Sequence, residues 1–217
     1  RLAQPMKDNL PVSWFTFEYE TLSELQRLSQ EKKEIVLLTQ TFASPSTKKL
    51  IEKFTAKFKS AIHITYDSIS ESEALDAFEE RYGIRGLSNY DFSNTKLIVS
   101  IGADFLGDWQ GGGFDCSYTK GRIPDDGKMS RHIQFESNMT LSGANADLRV
   151  PLRINEQKLV LIEIYKSLFG DNKVKLDSNL QLNEKLKKIV DKTIKELKSA
   201  KAGAVVITGI QEKEYQL

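Results

Sequence analysis

KLIVSIGADFLGDW, residues 96–109, is the stretch whose reading decides the fold. Leu97 to Ile101 has the length and composition of a buried strand, and Gly102-Ala103-Asp104 breaks it with residues that favour a turn. A second apolar segment, His132 to Phe135, ends on the carboxylate Glu136 and runs through Asn138, Met139 and Thr140 into GANADLRVPLR, residues 143–153. Two strands that end in glycine or carboxylate predict the ligand-facing edge of an open α/β sheet.

The flanks repeat the same alternation. Before residue 96, leucines at 22, 25 and 28 predict a helix over Thr21–Lys32, with Thr21 as N-cap and Glu24 three residues on. Glu34–Leu38 reads as a strand, Ser46–Lys59 as an amphipathic helix, Ala61–Tyr66 as a strand and Ser70–Tyr82 as a helix closed by Gly83. A linker over Ile84–Thr95 leads into the deciding stretch, and a long glycine-rich loop separates its two strands. Beyond it, Glu156–Phe169 and Gln181–Ala200 are helical, and Gly203–Thr208 is a last strand ending at Gly209. Strands and helices at this spacing make right-handed βαβ units. The expectation is a single α/β domain over residues 1–217, with an open, mainly parallel, Rossmann-like sheet and helices on both faces. Residues 1–20, with the aromatic cluster Trp14, Phe15, Phe17 and Tyr19, read as an arm leading into it. The chain also reads as a part of a longer protein.

Composition narrows the function classes. A chain of 217 residues that is 40% hydrophobic can bury one large core or two small ones. Thirty-one Lys and Arg against 30 Asp and Glu leave a net charge of +1, no global bias toward nucleic acid or lipid. Cys116 is the single cysteine, which excludes an internal disulfide and any cysteine cluster able to hold iron–sulfur or structural zinc. No apolar run approaches the ~20 residues of a membrane span.

Among candidate sites, Gly102-Ala103-Asp104 could bring backbone N–H groups toward a ligand, yet neither GxGxxG nor GxxxxGK[ST] accompanies it, and a structural turn capped by Asp104 is the simpler reading. Gly111 to Gly113 read as a surface loop. Asp104, Asp108, Asp115 and Glu136 are possible magnesium ligands, with a solvated rim as the simpler reading. His63 and His132 lie in strands without partners at nucleophile or zinc spacing, so both read as packing residues. Cys116 beside Asp115 reads as an inert thiol, because a neighbouring carboxylate disfavours the thiolate. Asn138-Met139-Thr140 matches the glycosylation sequon. The lysines of 181–200 read as a solvated helix surface.

SPSTKKLIEKF, HITYD, YDFSNTKLIVSIGADFLGDW and GKMSRHIQFESNMTLSGANADLRVPLR together resemble a domain of the molybdopterin oxidoreductase family. Within that family the likeness is to the molybdopterin-oxidoreductase-like part of the large iron–sulfur subunit of bacterial alternative complex III, a quinol:cytochrome c oxidoreductase. It covers roughly residues 35–165 and 203–215, with residues 90–109 its most specific part.

The resemblance implies that Gly102, Ala103, Asp104, Glu136, Asn138 and Asp147 match the loops that hold molybdopterin guanine dinucleotide in catalytic members. It also implies departures. Glu136-Ser137-Asn138 stands where Asp-Pro-Arg is usual, and Ile154-Asn155-Glu156-Gln157 replaces the Pro-Gly-Thr-Asp turn whose aspartate recognises guanine. The implied protein is a cofactor-free scaffold in a membrane-anchored quinol-oxidising complex, peripheral on the periplasmic side of the bacterial inner membrane. Iron–sulfur clusters are expected in a separate domain of the parent chain. Its partners are the other domains of that chain and the respiratory subunits, with no nucleic acid and no direct membrane insertion. The alternatives are a fragment of a catalytic molybdenum-bis(guanine dinucleotide) enzyme, similar to polysulfide or tetrathionate reductase, and an independent nucleotide-binding module.

Overall fold

The structure, a computed structural model, describes residues 3–42, 44–67, 72–124, 127–170 and 181–217. Its backbone groups into two compact units, residues 1–70 and 71–217, where the sequence reading drew one domain.

In the first unit, β1 (Met6–Lys7) and β2 (Leu10–Pro11) pair antiparallel around Asp8 and Asn9, whose φ values of 51° and 65° suit a two-residue hairpin turn. Helix α1 (Trp14–Gln30) follows, capped by Ser13, whose Oγ accepts from the Thr16 N–H at 3.1 Å. This corrects two expectations. The helix begins at Trp14 and not at Thr21, and the second half of the supposed arm is helical, because Ser13 stands in the extended conformation an N-cap needs. Strands β3 (Ile35–Thr39) and β4 (Ala61–Thr65) are parallel, with Val36 opposite Ile62 and Leu38 opposite Ile64. Helix α2 (Pro45–Lys57), started by Ser44 and Pro45, crosses between them as the apolar spacing predicts.

The second unit opens with α3 (Ser72–Tyr82), ended by Gly83 at φ 73°. Its sheet is all parallel, in the order β7 (Leu148–Pro151), β6 (Arg131–Glu136), β5 (Leu97–Ile101), β8 (Ala204–Thr208). This is a Rossmann-like α/β arrangement. The period of two along each strand divides the residues between two layers. Leu97, Val99, Ile101, Ile133 and Phe135 face α6 (Ile154–Phe169) and α7 (Glu184–Ala200), burying Val160, Ile164, Val190 and Ile194 against them. Each such side chain stabilises the fold by about 1.5–3 kcal/mol. Ile98 and Ile207 face the opposite way, onto Phe92, Phe105, Phe114 and Tyr118. Tyr118 comes from α4 (Asp115–Gly121), a helix inside what the sequence predicts as continuous loop. The short α5 (Leu141–Ala144) and the edge strand β7 were also unforeseen, both being too short to carry a period. Among the described residues no helix is long and apolar enough to cross a membrane.

Candidate functional site

Ile101 pairs with Phe135 on one side and Thr208 on the other, so Gly102, Glu136 and Gly209 follow side by side at the carboxyl edge of the sheet. Strand order reverses between β5 and β8, and such a switch point is where open α/β sheets bind ligands. A cleft of about 400 Å³ lies here, with Gly102, Glu136, Ser137, Asn138, Gln157 and Gly209 among its walls. Three of the sequence candidates thus meet in one place.

The floor of the cleft is occupied by the protein itself. Gln157, in the first turn of α6 and only 6% exposed, donates from Nε2 to Ser137 Oγ at 2.9 Å. Its carboxamide oxygen fills the space that a Cβ on Gly102 would take. Gly102 has φ 74°, which favours glycine, and a Cβ on Gly209 would fall on the Gly102 carbonyl, so Gly209 answers to close backbone approach. Their N–H groups are engaged within the sheet: Gly102 donates to the Phe135 carbonyl at 2.7 Å and Gly209 to the Ile101 carbonyl at 2.8 Å.

Glu136 is 2% exposed, which corrects the solvated-rim reading for this carboxylate. Arg149 of the neighbouring strand pairs with its Oε1, Thr140 Oγ1 donates to Oε2 at 2.6 Å, and the Thr140 N–H donates to Oε1 at 3.3 Å. A Cβ on Gly143 would overlap the same carboxylate. Glu136 therefore ties β6, β7 and the start of α5 together. Asn138, by contrast, is exposed.

The remaining candidates lie outside the cleft. Ala103 is fully buried in the aromatic layer. Asp104 Oδ1 accepts from the Ser142 N–H at 2.8 Å, while Ser142 Oγ accepts from the Leu106 N–H at 2.9 Å, so Asp104 anchors α5 to the turn after β5. Asp147 sits at the opposite, amino-terminal edge. It accepts two bonds from the Arg122 guanidinium, at 2.7 and 3.0 Å, and one from the His132 N–H at 2.7 Å. Burial disfavours its ionised form, but these bonds and the Arg122 charge outweigh that and hold its carboxyl below the usual range.

Asp108, Asp115 and Cys116 are exposed, and the Cys116 thiol points at Asp115 Oδ2 from 3.8 Å. Among the described residues no three His, Cys, Asp or Glu side chains are placed to hold a metal ion. His63 Nε2 meets Thr39 Oγ1 at 2.8 Å across β3 and β4.

His132 packs in the core, as expected, but inside a buried polar chain that sequence spacing could not reveal. Gln134 Nε2 donates to the Ala103 carbonyl at 3.1 Å, which turns its Oε1 toward His132 Nε2, also at 3.1 Å. That arrangement assigns the proton of the neutral ring to Nε2, and Tyr118 Oη lies 3.2 Å from both Nδ1 and the Asn145 carbonyl, the two acceptors that its single proton can serve. Burial pushes the His132 imidazole below its ordinary value, with Arg122 adding to the effect and Gln134, Asp147 and Glu136 opposing it.

Reading the sequence for site residues missed Gln157, Arg149 and Gly209. Gly209 carries the same signal as Gly102, a glycine directly after an apolar strand. Gln157 carries none, because its place over Gly102 depends on where α6 begins. No protein-family model and no curated protein matches the chain.

Proposed function

We propose that the chain is a molybdopterin-oxidoreductase-like scaffold domain without a cofactor of its own. It serves a membrane-anchored quinol-oxidising complex on the periplasmic side of the bacterial inner membrane. The observation that carries this reading is the engagement of the switch-point residues: Gln157 lies against Gly102, Glu136 is paired with Arg149, and the glycine N–H groups bond within the sheet. The glycine N–H groups that a phosphate-binding turn would present are thus already bonded, and the Gln157 side chain takes the space directly over Gly102. The domain then acts through its surfaces, positioning a cluster-bearing domain and neighbouring subunits. Molybdenum and guanine-nucleotide analysis of the full-length protein purified from its source tests this. Far less than one equivalent of each is expected, and one equivalent of either overturns the reading.

The volume above Gln157 favours a second reading. About 400 Å³ falls within the range of small-molecule sites, enough for a fragment the size of a nucleoside. A nucleotide-binding module or a piece of a catalytic molybdenum enzyme would use it. Calorimetric titration of guanine nucleotides separates these from the scaffold, which predicts no saturable heat.

A further inference from the structure

The outer face of α7 concentrates charge that the rest of the chain does not share. Between residues 184 and 201 seven lysines stand against Glu184, Asp191 and Glu196, a net of +4 in a protein whose total is +1. Leu186, Val190, Thr193, Ile194 and Leu197 turn inward. Lys185, Lys187, Lys188, Lys192, Lys195 and Lys198 are all exposed on the other side, along about 20 Å of helix. None of these lysines is in an ion pair among the described residues, whereas Glu196 is held by Arg131 at 2.6 Å. Only Glu184 and Asp191 interrupt the positive face.

We propose that this face of α7 docks on an anionic lipid surface. Three features choose a bilayer over other polyanions. The exposed arc holds no arginine and no aromatic ring, so it lacks the forked donors and stacking surfaces of nucleic-acid sites. Lysine is depleted at protein–protein interfaces, where arginine and aromatic residues anchor the contact. Flexible ammonium groups spread over one broad side of a helix can reach a plane of phosphate headgroups together. No large apolar residue joins the face, so contact is electrostatic and superficial, without insertion. Each lysine close to an anionic bilayer raises partitioning roughly five-fold, an effect that salt screens.

The test is co-sedimentation of the whole protein with phosphatidylcholine vesicles, with and without phosphatidylglycerol, at low and high salt. Lys188→Glu/Lys195→Glu reverses the centre of the face, and Lys48→Glu/Lys53→Glu on α2 is a charge-matched control. Binding to anionic vesicles is expected at low salt, falling at least ten-fold in high salt and in the α7 variant, and kept in the α2 control. Circular dichroism confirms that each variant is folded. Equal loss in both variants, binding to neutral vesicles, or no vesicle binding overturns the proposal. Capture on immobilised polyglutamate without vesicle binding does so too, and assigns the face to an acidic protein partner. The outcome is independent of whether the switch-point cleft holds a nucleotide.

Discussion

Removing the Glu136 carboxylate tests whether that residue serves the fold or a ligand. Glu136→Ala leaves the Arg149 guanidinium without its counter-ion and the Thr140 hydroxyl and N–H without their acceptor. Breaking a buried pair from one side costs about 3–5 kcal/mol. Arg149 retains 24% side-chain exposure and can partly rehydrate, which places the expected loss near the lower bound, about 3 kcal/mol. With a urea m-value of about 2 kcal/mol/M, the unfolding midpoint falls by roughly 1.5 M.

The two units require a probe confined to the second. The chain has two tryptophans; Trp14 lies in α1 and Trp109 packs in the aromatic layer beside β5. A Trp14→Phe background therefore lets fluorescence follow the unit that contains Glu136. Glu136→Ala/Arg149→Met removes both charges and should recover part of the loss, because no orphaned guanidinium remains. A loss below about 1 kcal/mol for Glu136→Ala would refute the structural assignment and return Glu136 to the list of ligand groups.

Two further perturbations probe the same sheet. Gly102→Ala incurs about 1–2 kcal/mol of left-handed backbone strain and displaces Gln157 as well, so it should cost less in a Gln157→Ala background. Coupling of about 1 kcal/mol in a urea double-mutant cycle is expected, and additivity would contradict the placement of Gln157. His132 has a folded-state pKa below the ordinary ~6.5, so beneath that pH the unfolded chain binds a proton that the folded chain does not. Its stabilising contribution is complete above ~6.5 and declines as pH falls toward the folded value, by up to ~1.4 kcal/mol per unit. His132→Asn should flatten stability against pH below about 6.5, and an unchanged slope would show that another group titrates there.

Strand and helix types were legible wherever a period ran long enough. LIVSI, HIQFE and GAVVIT became β5, β6 and β8, and the stripe at 186, 190, 194 and 197 became the buried side of α7. Short elements escaped: β7 has four residues, and α5 has four residues that are fixed by Thr140 and Asp104, not by their own propensity. The start of α1 escaped for another reason. Leucine spacing locates a helical face without marking its first turn, and Ser13 decided the boundary. For the site, sequence found the strand ends but could not say which side chains were already engaged, since Glu136–Arg149 and Gln157–Gly102 depend on register across the sheet.

That register also bears on what a glycine at a strand end can mean. Gly102 and Gly209 stand where β5 and β8 diverge, and the carbonyl of one occupies the Cβ position of the other. The requirement for glycine at 209 is thus met by the sheet alone, and at 102 by positive φ and the Gln157 side chain. A dinucleotide site would demand small residues at the same places for a different reason, closeness to phosphate. Sheet geometry and cofactor therefore leave the same mark in the sequence. What separates them is the state of the neighbouring donors, and here the Gly102 and Gly209 N–H groups already have carbonyl acceptors. A ligand at this edge would have to be held by Ser137, Asn138 and the side chains at the mouth of the cleft. Such a site selects by hydroxyl and amide contacts, not by a phosphate-binding turn.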